Sequence, residues 1–235
     1  MGQIYLVRHG QASFGSTNYD QLSELGFEQA RMLGEWFANS HQKFHRVVTG
    51  DLKRHRQTAD TCLAALPKSH RVETDWHTDP DFNEYNHHEV LVRQRPAFDD
   101  PEEVKRFLAS HPKAKHAFQE IFQTAMSRWM SGQYDSEYLE SWPVFQRRCV
   151  AALQRVVEGA DKSQNIIVFT SGGTIATICQ HVLGLSDRQV ADLNWTLVNC
   201  AVTKLFYQPG RVTLSYLNNY AHLEWLGQPH SITYR

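Results

Sequence analysis

An arginine, a histidine and a glycine stand directly after a short apolar run near the amino terminus, "IYLVRHGQA" at residues 4–12. Arginine carries a planar fork of donors that stays charged and matches the oxygens of a phosphoryl group. A neutral imidazole can attack phosphorus and hold the group as a covalent intermediate. Arg8 and His9 therefore pair an anion clamp with a nucleophile, and Arg54 in "GDLKRHRQTA" (50–59) offers a second guanidinium. Further on, "IIVFTSGGTIATI" repeats the strand-then-turn pattern, with Ser171 and Gly172 opening a helix whose first amides suit an anion. Phosphoryl transfer needs positioning and positive charge above all. This set supplies both without a metal or other cofactor.

These clusters lie far apart in sequence, so the fold must gather them. Residues 3–7 read as a strand that stops at a turn, and Leu22 to Phe37 as a helix with Ser23 near its start. Strands are expected at 44–50, 71–75 and 165–170, and helices at 51–66, 143–158 and 171–184. Two more helices are expected within 101–130, and a hairpin over 200–217 turns at Pro209-Gly210. Residues 82–99 show no clean period and read as irregular surface chain, and the tail from 222 has no assignable element. The alternation predicts a single α/β domain over residues 1–235. It is a three-layer sandwich with a mostly parallel central sheet, helices on both faces, and a helical insertion at about 82–160 over the rim at the strands' carboxyl ends. Ligands bind beyond that rim in such folds, and all three polar clusters follow strands. The aromatics of the insertion, among them Phe98, Phe118, Trp129, Tyr134, Tyr138 and Trp142, read as packing before any role as a lid.

Composition narrows the partners. The chain has 24 Lys+Arg against 25 Asp+Glu in 235 residues, which gives no general attraction to nucleic acid. No run of 18 apolar residues occurs, so no membrane span is expected, and the first residues already read as strand rather than a leader. Cys62, Cys149, Cys179 and Cys200 are scattered among apolar residues without a CxxC pair, which predicts reduced thiols and a cytoplasmic protein.

Five blocks, taken in chain order, resemble the histidine phosphatase superfamily, the phosphoglycerate mutase-like group. They are "LVRHGQA" (6–12), "YDQLSELGFEQARMLGEW" (19–36), "GDLKRHRQTA" (50–59), "DPDFNEYNHHE" (79–89) and "VNCAVTKLFY" (198–207). The resemblance implies that His9 is phosphorylated, that Arg8 and Arg54 clamp the phosphoryl oxygens, and that Glu84 is the general acid. It also implies that Gln11 and Asn18 line the pocket.

Three departures bear on strength. The superfamily has a second histidine where Ser171 stands, a serine where Gly50 stands, and a small alanine where His55 stands. A serine hydroxyl donates a hydrogen bond but carries no charge. His87 and His88, next to Glu84, are the expected substitutes, because a helix neighbour of Arg54 would normally point elsewhere. The reading that follows is a metal-independent phosphomonoester hydrolase, its partner a small-molecule phosphate ester or a phosphoprotein. A weakly active or inactive phosphate-binding module is the alternative, and a phosphoglycerate-type mutase a third.

Overall fold

A computed structural model describes residues 1–13, 20–70 and 76–234. Asn18 and the strand expected at 71–75 lie outside the described residues. The chain forms two compact units, Met1–Asn83 with Cys149–Arg235, and Glu84–Arg148.

The first unit is built on a six-stranded sheet of β1 (Gly2–Arg8), β2 (Arg46–Thr49), β3 (Trp76–Thr78), β4 (Asn165–Thr170), β5 (Val202–Gln208) and β6 (Arg211–Asn219). Their order is β3-β2-β4-β1-β5-β6. β4 pairs in parallel with β1 and β2, and β2 with β3, while β5 runs antiparallel to β1 and β6. Sitting between two neighbours and covered on both faces, β4 reads as an unbroken apolar run.

Helices in chain order are α1 (Glu24–Asn39), α2 (Lys53–Ala64), α3 (His87–Gln94), α4 (Pro101–Ser110) and α5 (Ala114–Met130). They continue as α6 (Trp142–Glu158), α7 (Gly172–Leu183), α8 (Asp187–Thr196) and α9 (Ala221–Glu224). α1 and α2 cover one face of the sheet, where Leu33, Phe37, Cys62 and Leu63 join Tyr5, Val7, Ile167 and Phe169 in one buried cluster. Strand alternation turns Ile4, Leu6, Ile166 and Val168 to the opposite face, all of them buried, and α7 packs there against β1. The result is a mostly parallel α/β sandwich with helices on both faces, as expected.

Four segments differ from the sequence expectation: β3 and α8 were not foreseen, and two more had been read as irregular chain. The stretch read as irregular at 82–99 contains α3, whose start is capped by Asn86 Oδ1 accepting from Glu89 N at 3.1 Å. Two turns are too short to show a period, although Asn86 three residues before Glu89 is a start signal. The tail carries α9 and a further turn at Pro229–Ser231.

The second unit has its own core. Trp129 packs on Tyr85, Trp142 and Phe145 with ring centroids 4.9, 5.2 and 5.6 Å away. Leu91, Phe98 and Phe107 gather Phe118, Ile121 and Phe122 from α5, so the aromatic stripe is packing. Tyr134 is the exception: it stays exposed, with the Arg128 guanidinium 3.9 Å above its ring.

Phe37 is wholly buried in the α1/α2 cluster. Phe37→Ala is expected to cost about 3–5 kcal/mol, read as a lower denaturant midpoint at unchanged slope.

Candidate active site

β4 brings the three polar turns together. Its Thr170 carbonyl accepts from His9 N at 2.9 Å on one side, and its Phe169 carbonyl accepts from Gly50 N at 3.1 Å on the other. The turn after β1 then presses against the start of α1. A Cβ on Gly10 would lie 2.4 Å from the Gly26 carbonyl oxygen, and one on Gly26 would lie 2.2 Å from that of Gln11. Two backbones meet where no side chain fits, so both positions require glycine.

His9 is 6% exposed, and its Nδ1 lies 2.7 Å from the Gly10 carbonyl oxygen. A carbonyl only accepts, so Nδ1 carries the proton and the Nε2 lone pair is left for chemistry. Arg54 Nε donates to that Nε2 at 3.2 Å. Burial holds the His9 pKa well below the usual imidazole range, and the charges of Arg54, His55 and Arg8 push it the same way. The ring is a neutral base with its unprotonated nitrogen facing a cation.

The cations are themselves held. Arg54 Nη1 meets Asp20 Oδ1 at 2.8 Å, and Asp20 Oδ2 also accepts from Lys53 N at 2.9 Å, closing the first turn of α2. Arg8 Nη1 donates to the Leu197 carbonyl. Thr58 Oγ1 donates to the Arg54 carbonyl at 2.7 Å and accepts from Gly10 N at 3.1 Å, which ties α2 to the histidine turn.

The histidine turn is fixed from beneath by amide side chains. Asn199 Nδ2 donates to the His9 carbonyl at 3.0 Å, and its Oδ1 accepts from Thr233 Oγ1 at 2.9 Å. Gln29 Oε1 accepts from Gln11 N at 2.8 Å, and its Nε2 donates to the Ser231 carbonyl at 2.7 Å. The tail thus braces the loop that carries His9.

Arg8, His9, Arg54, Ser171 and Gly172 all belong to the first unit and meet at the ends of β1, β2 and β4. Gln11 is beside them, but its side-chain oxygen accepts from Ser23 Oγ at 2.9 Å, at the cap of α1. Glu84, His87 and His88 belong to the second unit. Glu84 directly follows Asn83, whose carbonyl is held by Thr174 Oγ1 at 2.9 Å. His88 is exposed, with Nε2 3.9 Å from Asp99 Oδ1.

The expectation that His55 points away does not hold. It is fully buried, with Nε2 2.6 Å from Ser171 Oγ and its ring centroid 5.7 Å from that of His9. The reason is local. α2 directs its first turn at the site, so two successive residues on adjoining faces, 54 and 55, both reach it. Asp20, Thr58, Gln29 and Asn199 were also not foreseen, although all four sit in the blocks that carry the resemblance. Among the described residues no group of three or more His, Cys, Asp or Glu is placed to hold a metal.

The family model for the histidine phosphatase superfamily (branch 1) matches residues 4–220. The chain belongs to this superfamily. A 64-residue stretch is 41% identical to the mitochondrial serine/threonine-protein phosphatase Pgam5 of Caenorhabditis briggsae, covering 27% of this chain and 22% of that protein. The chain therefore matches under a quarter of that relative's length. Among solved structures, phosphoglycerate mutase from Bacillus anthracis superposes with a TM-score of 0.64 at 20% identity, over 97% of both chains. Phosphoserine phosphatase from Entamoeba histolytica, with bound phosphoserine, gives 0.63 at 17% identity over 95% of this chain and 100% of that one. These likenesses are of fold. Superfamily membership and the curated relatives support a phosphatase-like enzyme.

The cytoplasmic expectation is corrected by the Pgam5 relatives, which are mitochondrial by name. All four cysteines are free and buried. Burial keeps a thiol reduced in any compartment, so their scatter reports packing rather than location. For membranes, no helix among the described residues is long and apolar enough to cross one.

Burial also lowers the pKa of His55, and takes that of His222 down to about 4. A histidine with a depressed folded pKa stabilises the fold above its unfolded pKa of about 6.5 and loses that contribution as pH falls. Each of the three rings adds a slope of about 1.4 kcal/mol per pH unit between its unfolded and folded values. The denaturation midpoint should therefore drop between about pH 7 and 5, and His9→Asn should flatten that drop by one ring's share.

Proposed function

We propose that the protein is a phosphomonoester hydrolase that works through a phosphohistidine on His9. The observation that carries this reading is the His9 tautomer: Nδ1–H is held by the Gly10 carbonyl, and the Nε2 lone pair faces Arg54 Nε at 3.2 Å. Simple anion binding has no use for an imidazole whose tautomer and free nitrogen are both fixed.

In the first half-reaction, Nε2 attacks phosphorus and the P–O ester bond breaks. Glu84, as a carboxylic acid, gives its proton to the leaving oxygen. The Arg54 N–H that met the lone pair turns to a phosphoryl oxygen, and Arg8 holds another. The ring is now cationic, and its Nδ1–H bond to Gly10 steadies that charge. In the second half-reaction, water attacks phosphorus while the Glu84 carboxylate takes its proton. The P–N bond breaks, the electron pair returns to Nε2, and inorganic phosphate leaves. Ser171 and Gly172, with Gln11 beside them, complete the phosphate pocket. The two arginines supply the positive charge, so no step calls for a metal.

For the substrate, the printed names of the curated relatives favour a phosphoserine or phosphothreonine protein. A small phosphate ester is the other class.

The test is hydrolysis of an aryl phosphate and of a phosphoserine peptide, with chelator present, by the wild type and by His9→Ala. Turnover should survive chelation and fall by about 1,000-fold or more in the variant. Quenching in alkaline denaturant, where a P–N bond survives, should trap label on the Nε2 of His9, identified by its nitrogen couplings, and brief acid treatment should release it. Saturable phosphate binding with no turnover and no trapped label would instead make the protein a phosphate-binding module.

A further inference from the structure

The three departures from the superfamily pattern, Gly50, His55 and Ser171, meet at one point. A Cβ on residue 50 would lie 2.3 Å from His55 Nδ1 and 2.9 Å from its Cε1. The His55 ring thus needs the volume that a serine at 50 would take. On its other side the ring reaches to 2.6 Å from Ser171 Oγ, leaving no room for a second imidazole at 171. A histidine placed like this at 55 requires a glycine at 50, where a Cβ would also meet Asn83 Oδ1 at 2.6 Å, and a small residue at 171. The imidazole has changed its place in the chain while staying beside His9, centroid to centroid 5.7 Å.

Two further observations speak against His55 as mere filling. Its Nδ1 is buried without a hydrogen-bond partner among the described residues. Such a group is costly, and an apolar side chain of similar size would avoid the cost. Ser171 stands at the N-cap of α7 but makes no capping bond with its side chain. Its hydroxyl is engaged with His55 instead.

We propose that Ser171 and His55 act as one unit on the phosphoryl group, in the role the superfamily gives to its second histidine. Ser171 Oγ–H donates to a phosphoryl oxygen, and His55 Nε2–H donates to Ser171 Oγ from behind. Ser171 is the contacting residue and His55 the positioning residue, which orients the hydroxyl and strengthens it as a donor. The inference rests on the phosphatase reading above and deepens it.

The experiment compares the wild type with Ser171→Ala, His55→Ala, the double variant, and a triple variant that restores the superfamily pattern, Gly50→Ser with His55→Ala and Ser171→His. Each is measured for kcat/KM on an aryl phosphate and for Kd of inorganic phosphate. Ser171→Ala removes a single oxygen, so it remains informative if His55→Ala folds poorly, and unfolding midpoints identify that case. Each single variant should lose about tenfold or more in kcat/KM and bind phosphate more weakly. The double should be no worse than the poorer single, because the two act in series. The triple should recover most of the loss, a rescue that a purely structural His55 would not show.

Unchanged kcat/KM and phosphate affinity in Ser171→Ala or in folded His55→Ala would overturn the proposal, as would losses that add and a triple variant with no recovery. If the wild type has no turnover, the hydrolase reading falls and phosphate affinity decides the pair alone. Weaker binding in the single variants then supports it, and unchanged binding overturns it. A wild type that neither turns over nor binds phosphate removes both.

Discussion

An imidazole can be buried beside guanidinium groups only while it is neutral, and that condition organises the first unit. His9 meets it by giving its one proton to the Gly10 carbonyl and turning its lone pair to Arg54. The arrangement costs the ring its basicity, which is what a nucleophile at neutral pH requires. The guanidinium groups are steadied by neighbours that leave the ring uncharged: Asp20 for Arg54, the Leu197 carbonyl for Arg8. A cationic, water-poor turn of this kind favours an incoming dianion, because positive charge set in place before binding needs no rearrangement afterwards.

Holding such a turn in register falls to polar side chains rather than to the apolar core. Apolar contacts fix volume but not the direction of a carbonyl. Asn199, Gln29 and Thr58 do fix direction, each bonding to the backbone of residues 9–11 and to a second element. The histidine turn is therefore fixed in direction because amide and hydroxyl groups from within α1, from within α2 and from the segment before β5 are mutually satisfied.

The strands and long helices were legible because burial imposes its own period: an unbroken run at Ile166–Phe169, a helical stripe from Leu25 to Phe37. α3 and the turns of the tail were not, being too short for a period to emerge. That Arg8, His9 and Arg54 would be gathered at one rim was legible from the strands they follow and from the blocks around them. His55 was read as pointing elsewhere because helix periodicity says where a residue faces relative to its neighbours, not where the helix end is aimed. Asn199 and Gln29 were missed for a related reason. Their partners lie at the far end of the chain, and nothing local marks an amide that will bond across 190 or 202 residues. Location was misread because buried thiols look alike in every compartment.

The position of β1 has a consequence for how the protein comes into being. Ile4 is paired on one side with Ile166 and on the other with Leu205, so β1 is made well before either of its partners in the sheet. At about 5–20 residues per second, that is a wait of roughly 10–30 s on the ribosome. Throughout it, an apolar strand with two open edges must be shielded, and loop closure over such a span makes the final step slow. The centre of the sheet is then a late acquisition rather than a nucleus. The setting of His9 is complete only with the sheet, and a nascent or truncated chain lacking β4 holds the ring without the two turns that β4 gathers beside each other.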